Sequence, residues 1–280
     1  MAQTQRARGE CERGVTSGSV PHPRLRQVMA LSTTGPWPDG ATCAVSLTFD
    51  DGMQSQLKLA FPLLEKYGLK ATFYLFPRRE RWRERLEPWR KVHQAGHEIG
   101  NHTASHICSR QMTGAPKGKD NLEGLTLEEI EADILLAEER IAAVMGSEPR
   151  SFCYPCYQCH VGEGAERKSY VPVVARHFLA GRGTGEFGSN HPASCDLHYL
   201  WSWRCEQLTG AHMVGFAEEG TAKGTWEIFV FHGIDDGPLN TAARHLERLL
   251  VYLDRNRDRI WTAPVRDVAT RIRDWRRTTG

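Results

Sequence analysis

Short apolar runs alternate along this chain with longer stretches in which apolar residues recur every three to four positions. An apolar run rich in β-branched and aromatic residues is typical of a buried strand, whereas the longer period is typical of an amphipathic helix. The runs predict strands at residues 42–49, 71–76, 97–102, 151–155, 226–231 and 260–263. The longer period predicts helices at residues 57–67, 88–95, 126–145, 241–256 and 265–277.

The helix that begins after Thr126 has the clearest signals at both ends. Thr126 and Glu129 form the sequence pattern of a capping box, in which each side chain binds the backbone amide of the other residue. Apolar residues then keep a 3.6-residue period until Gly146, a suitable residue for ending a helix. Residues 110–125 and 181–225 lack such a pattern, so we expect an insertion loop in the first and long loops in the second.

Alternating strands and helices predict an α/β fold in which parallel strands are joined by right-handed crossovers. Residues 1–35 are polar and basic, with Gly, Ser and Pro, and we expect them to form a poorly ordered extension. No boundary is evident beyond them, so residues 36–280 are expected to form one domain.

Composition excludes some function classes. The net charge of +2 gives no reason to expect nucleic acid as a partner, and no apolar run approaches the roughly 20 residues of a membrane helix. Without a recognisable secretory signal, we expect a cytoplasmic protein whose eight cysteines are reduced. Their even number leaves disulfides open if the protein is exported by another route. The oligomeric state is not predicted.

Carboxylates and imidazoles follow several predicted strands. Asp50 and Asp51 end the first strand, and Gly52 permits a tight turn there. His102 and His106 follow the third strand with a spacing that directs both rings to one point, and His232 follows the late strand. One carboxylate and two neutral imidazoles suit Zn²⁺ or another divalent ion such as Co²⁺ or Ni²⁺, with positions left open for water.

These motifs resemble the polysaccharide deacetylase family of carbohydrate esterases (the NodB-like homology domain). The sequence Thr-Phe-Asp-Asp-Gly at 48–52 and Asn-His-Thr-Ala-Ser-His at 101–106 carry the resemblance, together with a late strand ending in histidine. It implies a deformed, incomplete (β/α) barrel with a metal at the carboxyl ends of its strands. Asp51, His102 and His106 would bind the metal, whose water attacks the carbonyl of an N-acetylated or O-acetylated carbohydrate. Asp50 would be the base and His232 the acid.

The third motif departs from the family pattern. Cys153 stands where the family has an arginine that braces the base, and Tyr157 stands where it has a glycine; the sequence Tyr-Pro-Cys at 154–156 marks a divergent branch. Backbone amides near Cys156 and Tyr157 are candidates for holding the oxyanion. The family's partner for the acid histidine is not identifiable, which leaves Asp196 and Asp267 as candidates.

Alternatives remain open on sequence alone. The cysteines at 153, 156 and 159 are interpreted as ordinary thiols, with a second metal site as the alternative. The Asp-Asp-Gly-Pro sequence at 235–238 is interpreted as a turn. A hydrolase of small cyclic amides or imides on the same scaffold, and a non-catalytic carbohydrate-binding relative, are the rival functions.

Overall fold

The computed structural model describes residues 35–78, 80–185 and 188–279. The predicted N-terminal extension lies outside these residues apart from Gly35. The strands are β1 (Cys43–Phe49), β2 (Thr72–Leu75), β3 (Glu98–Asn101), β4 (Ser151–Cys153), β5 (His160–Val161), β6 (Lys168–Ser169), β7 (Ala180–Arg182), β8 (Ser189–Asn190), β9 (Trp203–Arg204), β10 (Trp226–Phe231), β11 (Gly233–Ile234), β12 (Asn240–Thr241) and β13 (Ile260–Thr262).

The helices are α1 (Phe61–Lys66), α2 (Trp82–Leu86), α3 (Arg90–Gln94), α4 (Arg110–Thr113), α5 (Leu127–Met145), α6 (Val171–His177), α7 (Gly210–Lys223), α8 (Ala243–Arg255) and α9 (Val265–Thr279). A π-helical segment, Gln56–Ala60, leads into α1. None of these helices combines the length and the apolar character that crossing a membrane requires.

The main sheet follows the order β7-β4-β3-β2-β1-β10-β8, with β13 also paired to β1 and β9 to β10. The strands pair in parallel except β8, which runs antiparallel to β10. The sheet curls into an open half-barrel surrounded by helices, which confirms the predicted α/β class and the incomplete barrel.

Strand β1 lies at the centre of the sheet, and all seven of its residues are buried. The Phe49 ring stacks between Phe73 of β2 and Phe231 of β10, with ring centroids 4.9 and 5.1 Å apart. Covering both faces of the strand explains why its sequence is mostly apolar, with Ser46 and Thr48 as the polar exceptions. Because the strand is buried on both faces, its pairing with the neighbouring strands is strongly specified. That pairing determines where the polar residues after Phe49 lie.

Helix α5 matches the helix that the sequence predicts, including both of its ends. Thr126 accepts a hydrogen bond from the Glu129 amide, the Glu129 carboxylate accepts one from the Thr126 amide, and Gly146 ends the helix in a left-handed conformation. Its buried residues form one stripe against the sheet, consistent with the 3.6-residue period.

The expectation of long loops throughout residues 181–225 was wrong. Helix α7 occupies residues 210–223, and its hydroxyl cap, Thr209, accepts a hydrogen bond from the His212 amide. Its glycines suggested a loop, but a Cβ on Gly220 would lie 2.6 Å from Cγ of Glu227 on β10. This glycine therefore permits close helix–strand packing. The predicted insertion loop at 110–125 likewise contains the short helix α4.

Candidate active site

The candidate chemical groups lie side by side because parallel strands end in register. Phe49 pairs with Phe231, so Asp50 and His232 follow neighbouring strands at one edge of the sheet. Leu75 pairs with Asn101, which places His102 at the same edge, and Cys153 of β4 pairs with Arg182 of β7. The carboxyl edge of the sheet thus collects groups from five strands, as is usual for sites in α/β folds.

The structure brings the three predicted metal ligands together. Oδ1 of Asp51 lies 3.5 Å from Nε2 of His102 and 3.2 Å from Nε2 of His106, and the two imidazole rings are 4.7 Å apart. This carboxylate oxygen is buried and receives no hydrogen bond from the described residues. A buried, unpartnered oxygen facing two ring nitrogens fits a divalent cation.

The tautomer of His102 supports the same interpretation. Its Nδ1 lies 2.8 Å from the backbone carbonyl of Cys153, which can only accept, so Nδ1 carries the hydrogen and Nε2 presents a lone pair. Burial lowers the pKa of His102, which favours the neutral ring that a metal requires. Metal-binding histidines commonly have such a carbonyl partner for their other nitrogen.

The His-x3-His sequence lies in a loop whose backbone is held by local hydrogen bonds. Thr103 and His106 have left-handed φ angles of 59° and 51°. The Thr103 amide donates to Oδ1 of Asn101 at 2.8 Å, and the His106 amide donates to Oγ1 of Thr103 at 2.9 Å. Asp51 is also left-handed, with φ 75°, and such non-glycine conformations are concentrated at functional sites.

Asp50 is buried and paired with an arginine that sequence reasoning did not identify. Arg182, itself fully buried, donates from Nη2 to Oδ1 of Asp50. The same nitrogen lies 2.8 Å from Sγ of Cys153, the residue that stands in the usual arginine position. Burial alone would raise the pKa of Asp50, but the Arg182 guanidinium, together with His102 and His232, outweighs this effect and holds the pKa below its usual range. Asp50 is therefore an ionised carboxylate.

The acid candidate, His232, has an unpredicted carboxylate partner. Its Nε2 lies 3.9 Å from Oδ2 of Asp50, and its Nδ1 lies 3.0 Å from Oε1 of Glu206. Burial opposes protonation of the ring, but Glu206 and Asp50 outweigh it, so the pKa of His232 is raised.

The two predicted partners of His232 were wrong. Asp196 faces His198 at 3.8 Å, and Asp267 faces Arg266 at 3.4 Å. Glu206 was missed because it follows the two-residue strand β9, in a region where the sequence pattern placed no element.

A cavity of about 590 Å³ opens above these groups. Cys156 and Tyr157 line it, and apolar side chains form part of its wall, namely Met112, Leu208 and Leu239. The Tyr157 amide donates to the Tyr154 carbonyl at 3.0 Å, so that amide is already engaged in the turn. A second groove, of about 1240 Å³, also reaches Asp51 and His106 and has Arg78, Arg81 and Arg85 along it.

The cysteines differ from the expectation of reduced thiols. Cys108 and Cys156 form a disulfide, whereas the sulfurs of Cys153 and Cys159 are free. Cys153 turns towards Asp50, and Cys159 lies beside Nδ1 of His160 at 3.3 Å. The three cysteines of the cluster therefore do not converge on one ion. The Asp-Asp-Gly-Pro sequence forms the predicted turn, with Asp235 and Gly237 left-handed between β11 and β12.

Comparison with known proteins places this geometry among related sequences. One curated relative, the gellan lyase of a Bacillus species, is 23% identical over 260 residues, which cover 83% of this chain and 9% of that protein. A peptidoglycan-N-acetylglucosamine deacetylase of Bacillus cereus is 32% identical over 83 residues, covering 29% of this chain and 37% of that protein. The chain thus spans less than half the length of either relative.

A solved structure has the same fold. The putative polysaccharide deacetylase from Mycobacterium smegmatis superposes with a TM-score of 0.59 at 18% identity, covering 85% of this chain and 93% of that chain. The family model for polysaccharide deacetylase matches residues 39–160, which include the whole of the first two motifs. That match agrees with the motifs that first suggested the family, so the first two motifs of this chain are those of polysaccharide deacetylases.

Proposed function

We propose that this protein is a metal-dependent hydrolase that removes acetyl groups from an N-acetylated or O-acetylated carbohydrate. The observation that carries the proposal is the convergence of three groups at one cavity: the Asp51–His102–His106 cluster, the Asp50–Arg182 pair and the His232–Glu206 pair. The deacetylase named among the relatives supports the substrate class.

Asp51, His102 and His106 would hold the ion, which we expect to be Zn²⁺, Co²⁺ or Ni²⁺. When bound, such an ion polarises a carbonyl oxygen and lowers the pKa of water towards about 7. The three residues supply one carboxylate oxygen and two ring nitrogens, which leaves positions open for water and substrate.

Asp50 and His232 divide the proton transfers between them. Asp50 is ionised through its pairing with Arg182, so it can accept a proton from the attacking water. His232 has a raised pKa and can deliver a proton to the departing amine, which leaves poorly as an anion. Because the Tyr157 amide is engaged in the turn, we assign the oxyanion contact to the Cys156 amide.

The proposal predicts that acetate release depends on a bound metal. Purified protein should contain a divalent ion and release acetate from N-acetylglucosamine oligomers or acetylated xylan. A chelator should abolish the release, and added Zn²⁺ or Co²⁺ should restore it. His106→Ala should lower metal affinity by at least tenfold, whereas His191→Ala, which alters a histidine outside the cavity, should leave it unchanged.

Bound metal without acetate release from any of these substrates would contradict the deacetylase proposal. Hydrolysis of cyclic imides by the same preparation would then support the amidase alternative. Binding of acetylated sugars without hydrolysis of any amide or ester would support the alternative of a non-catalytic carbohydrate-binding protein.

Replacing Glu206 with glutamine should narrow the pH range of activity. Glu206 helps to raise the pKa of His232, so the acid form persists to higher pH than it does for an ordinary histidine. Glu206→Gln removes that charge, so the pKa of His232 should fall and the alkaline limb of kcat should move to lower pH. The pH–rate profile measures it. Asp196→Asn is the control, and an unchanged profile in Glu206→Gln would refute the pairing.

A further inference from the structure

The Cys108–Cys156 disulfide joins two segments of the active site that come from different strands. Cys108 follows His106 by two residues in the loop after β3, and its Sγ lies 3.8 Å from Nδ1 of His106. Cys156 lies in the turn after β4, 48 residues away in sequence, and lines the cavity. The covalent link therefore connects the segment that carries the candidate metal ligand His106 to Cys156, the candidate oxyanion donor.

Both linked segments hold backbone conformations that are costly without support. His106 has φ 51°, and Cys156 and Tyr157 have φ 52° and 59°. Non-glycine residues are disfavoured in this region of φ and persist only where the surrounding structure enforces them. The hydrogen bond from the Ser109 amide to Oε1 of Gln158, at 2.7 Å, is a second and non-covalent link between the two segments.

We propose that the disulfide is a positioning crosslink for the reaction: it fixes the Cys156 amide relative to the metal ligand His106. This inference rests on the proposed function. Neither sulfur contacts the reacting atoms in this assignment. The crosslink acts by holding the amide where the oxyanion forms, because a donor must lie within about 2.7–3.1 Å of that oxygen to stabilise it.

Loss of the crosslink should therefore reduce turnover more than substrate binding. In Cys108→Ala, Cys156→Ala and the double variant, kcat should fall at least tenfold, and KM should stay within threefold of its original value. Because either substitution removes the same bond, the double variant should be no worse than the single ones. Effects that multiply in the double variant would indicate separate packing roles and would overturn the proposal.

A second readout does not depend on catalysis. Titration with Co²⁺, followed by visible absorption, should show at least a threefold rise in Kd in all three variants, because the loop that carries His106 has lost its link. Cys195→Ala, which removes a free thiol outside the cavity, is the matched control and should change neither kcat nor Kd. Circular dichroism would verify that each variant is folded.

The two readouts separate failure of this inference from failure of the proposed function. If the unmodified protein releases no acetate, the proposed function fails, and the Co²⁺ Kd still decides whether the crosslink positions His106. If the protein is active and the double variant keeps both its kcat and its Kd, the inference fails alone. Alkylation of Cys108 and Cys156 in unreduced protein would also overturn it.

Discussion

Asp50→Asn is expected to lower kcat by at least a hundredfold while leaving the metal site loaded. Asp50 pairs with Arg182 and faces His232, and its oxygens are not part of the Asp51–His102–His106 cluster. An amide keeps the shape of the side chain but cannot accept the proton as a carboxylate can, and general-base catalysis typically contributes 10²–10⁴-fold. Steady-state kinetics together with metal analysis of the purified variant would measure both parts of the prediction.

One further substitution and one control test whether the roles of the adjacent aspartates Asp50 and Asp51 are assigned correctly. Asp51→Asn should lose metal as well as activity, because it removes the charge of a ligand. Asp236→Asn alters the exposed Asp-Asp-Gly turn and should behave like the original protein. If Asp50→Asn kept near-normal turnover, or lost its metal as Asp51→Asn should, the assignment of Asp50 as the base would be wrong.

The sequence was sufficient for those parts of the site that are encoded locally. Strand β1 is buried on both faces, so it appears as an apolar run whose end is visible in the sequence. Asp50, Asp51 and His232 are adjacent to such ends, and His102 and His106 are separated by only three residues. Parallel pairing then brings the strand ends together, so the sequence could predict the cluster without its geometry.

The parts that could not be predicted depend on contacts between distant segments. Arg182 reaches Asp50 from a three-residue strand, and no spacing in the sequence links positions 50 and 182. Glu206 follows another short strand, in a glycine-rich region whose helix was also missed. Eight cysteines permit many pairings, so the sequence alone could not identify the bond between Cys108 and Cys156.

Removing Arg182 should have a large effect on both activity and stability. In Arg182→Met, Asp50 would remain buried without its counter-charge, and breaking a buried ion pair typically costs about 3–5 kcal/mol. With the largest opposing contribution removed, the pKa of Asp50 would rise, so the carboxyl would be protonated to higher pH and the acid limb of kcat would move upward. Arg182→Lys, which keeps a positive charge, should remain folded and lose less activity.

A rescue experiment tests whether the arginine at 182 replaces the one that the family usually carries in its third motif. Nη2 of Arg182 lies 2.8 Å from Sγ of Cys153, the residue in the family's usual arginine position. The positive charge of Arg182 therefore lies beside that position, although Arg182 is on β7 and Cys153 is on the adjacent strand β4. Cys153→Arg alone should be inactive, because two buried guanidinium groups would compete for one carboxylate. The double variant Cys153→Arg/Arg182→Met should recover at least tenfold in kcat over Arg182→Met, together with part of the lost thermal stability.

Full activity in Arg182→Met would show that Asp50 does not need this charge. A folded double variant no better than Arg182→Met would show that the base requires the direction of approach from β7 as well as the charge.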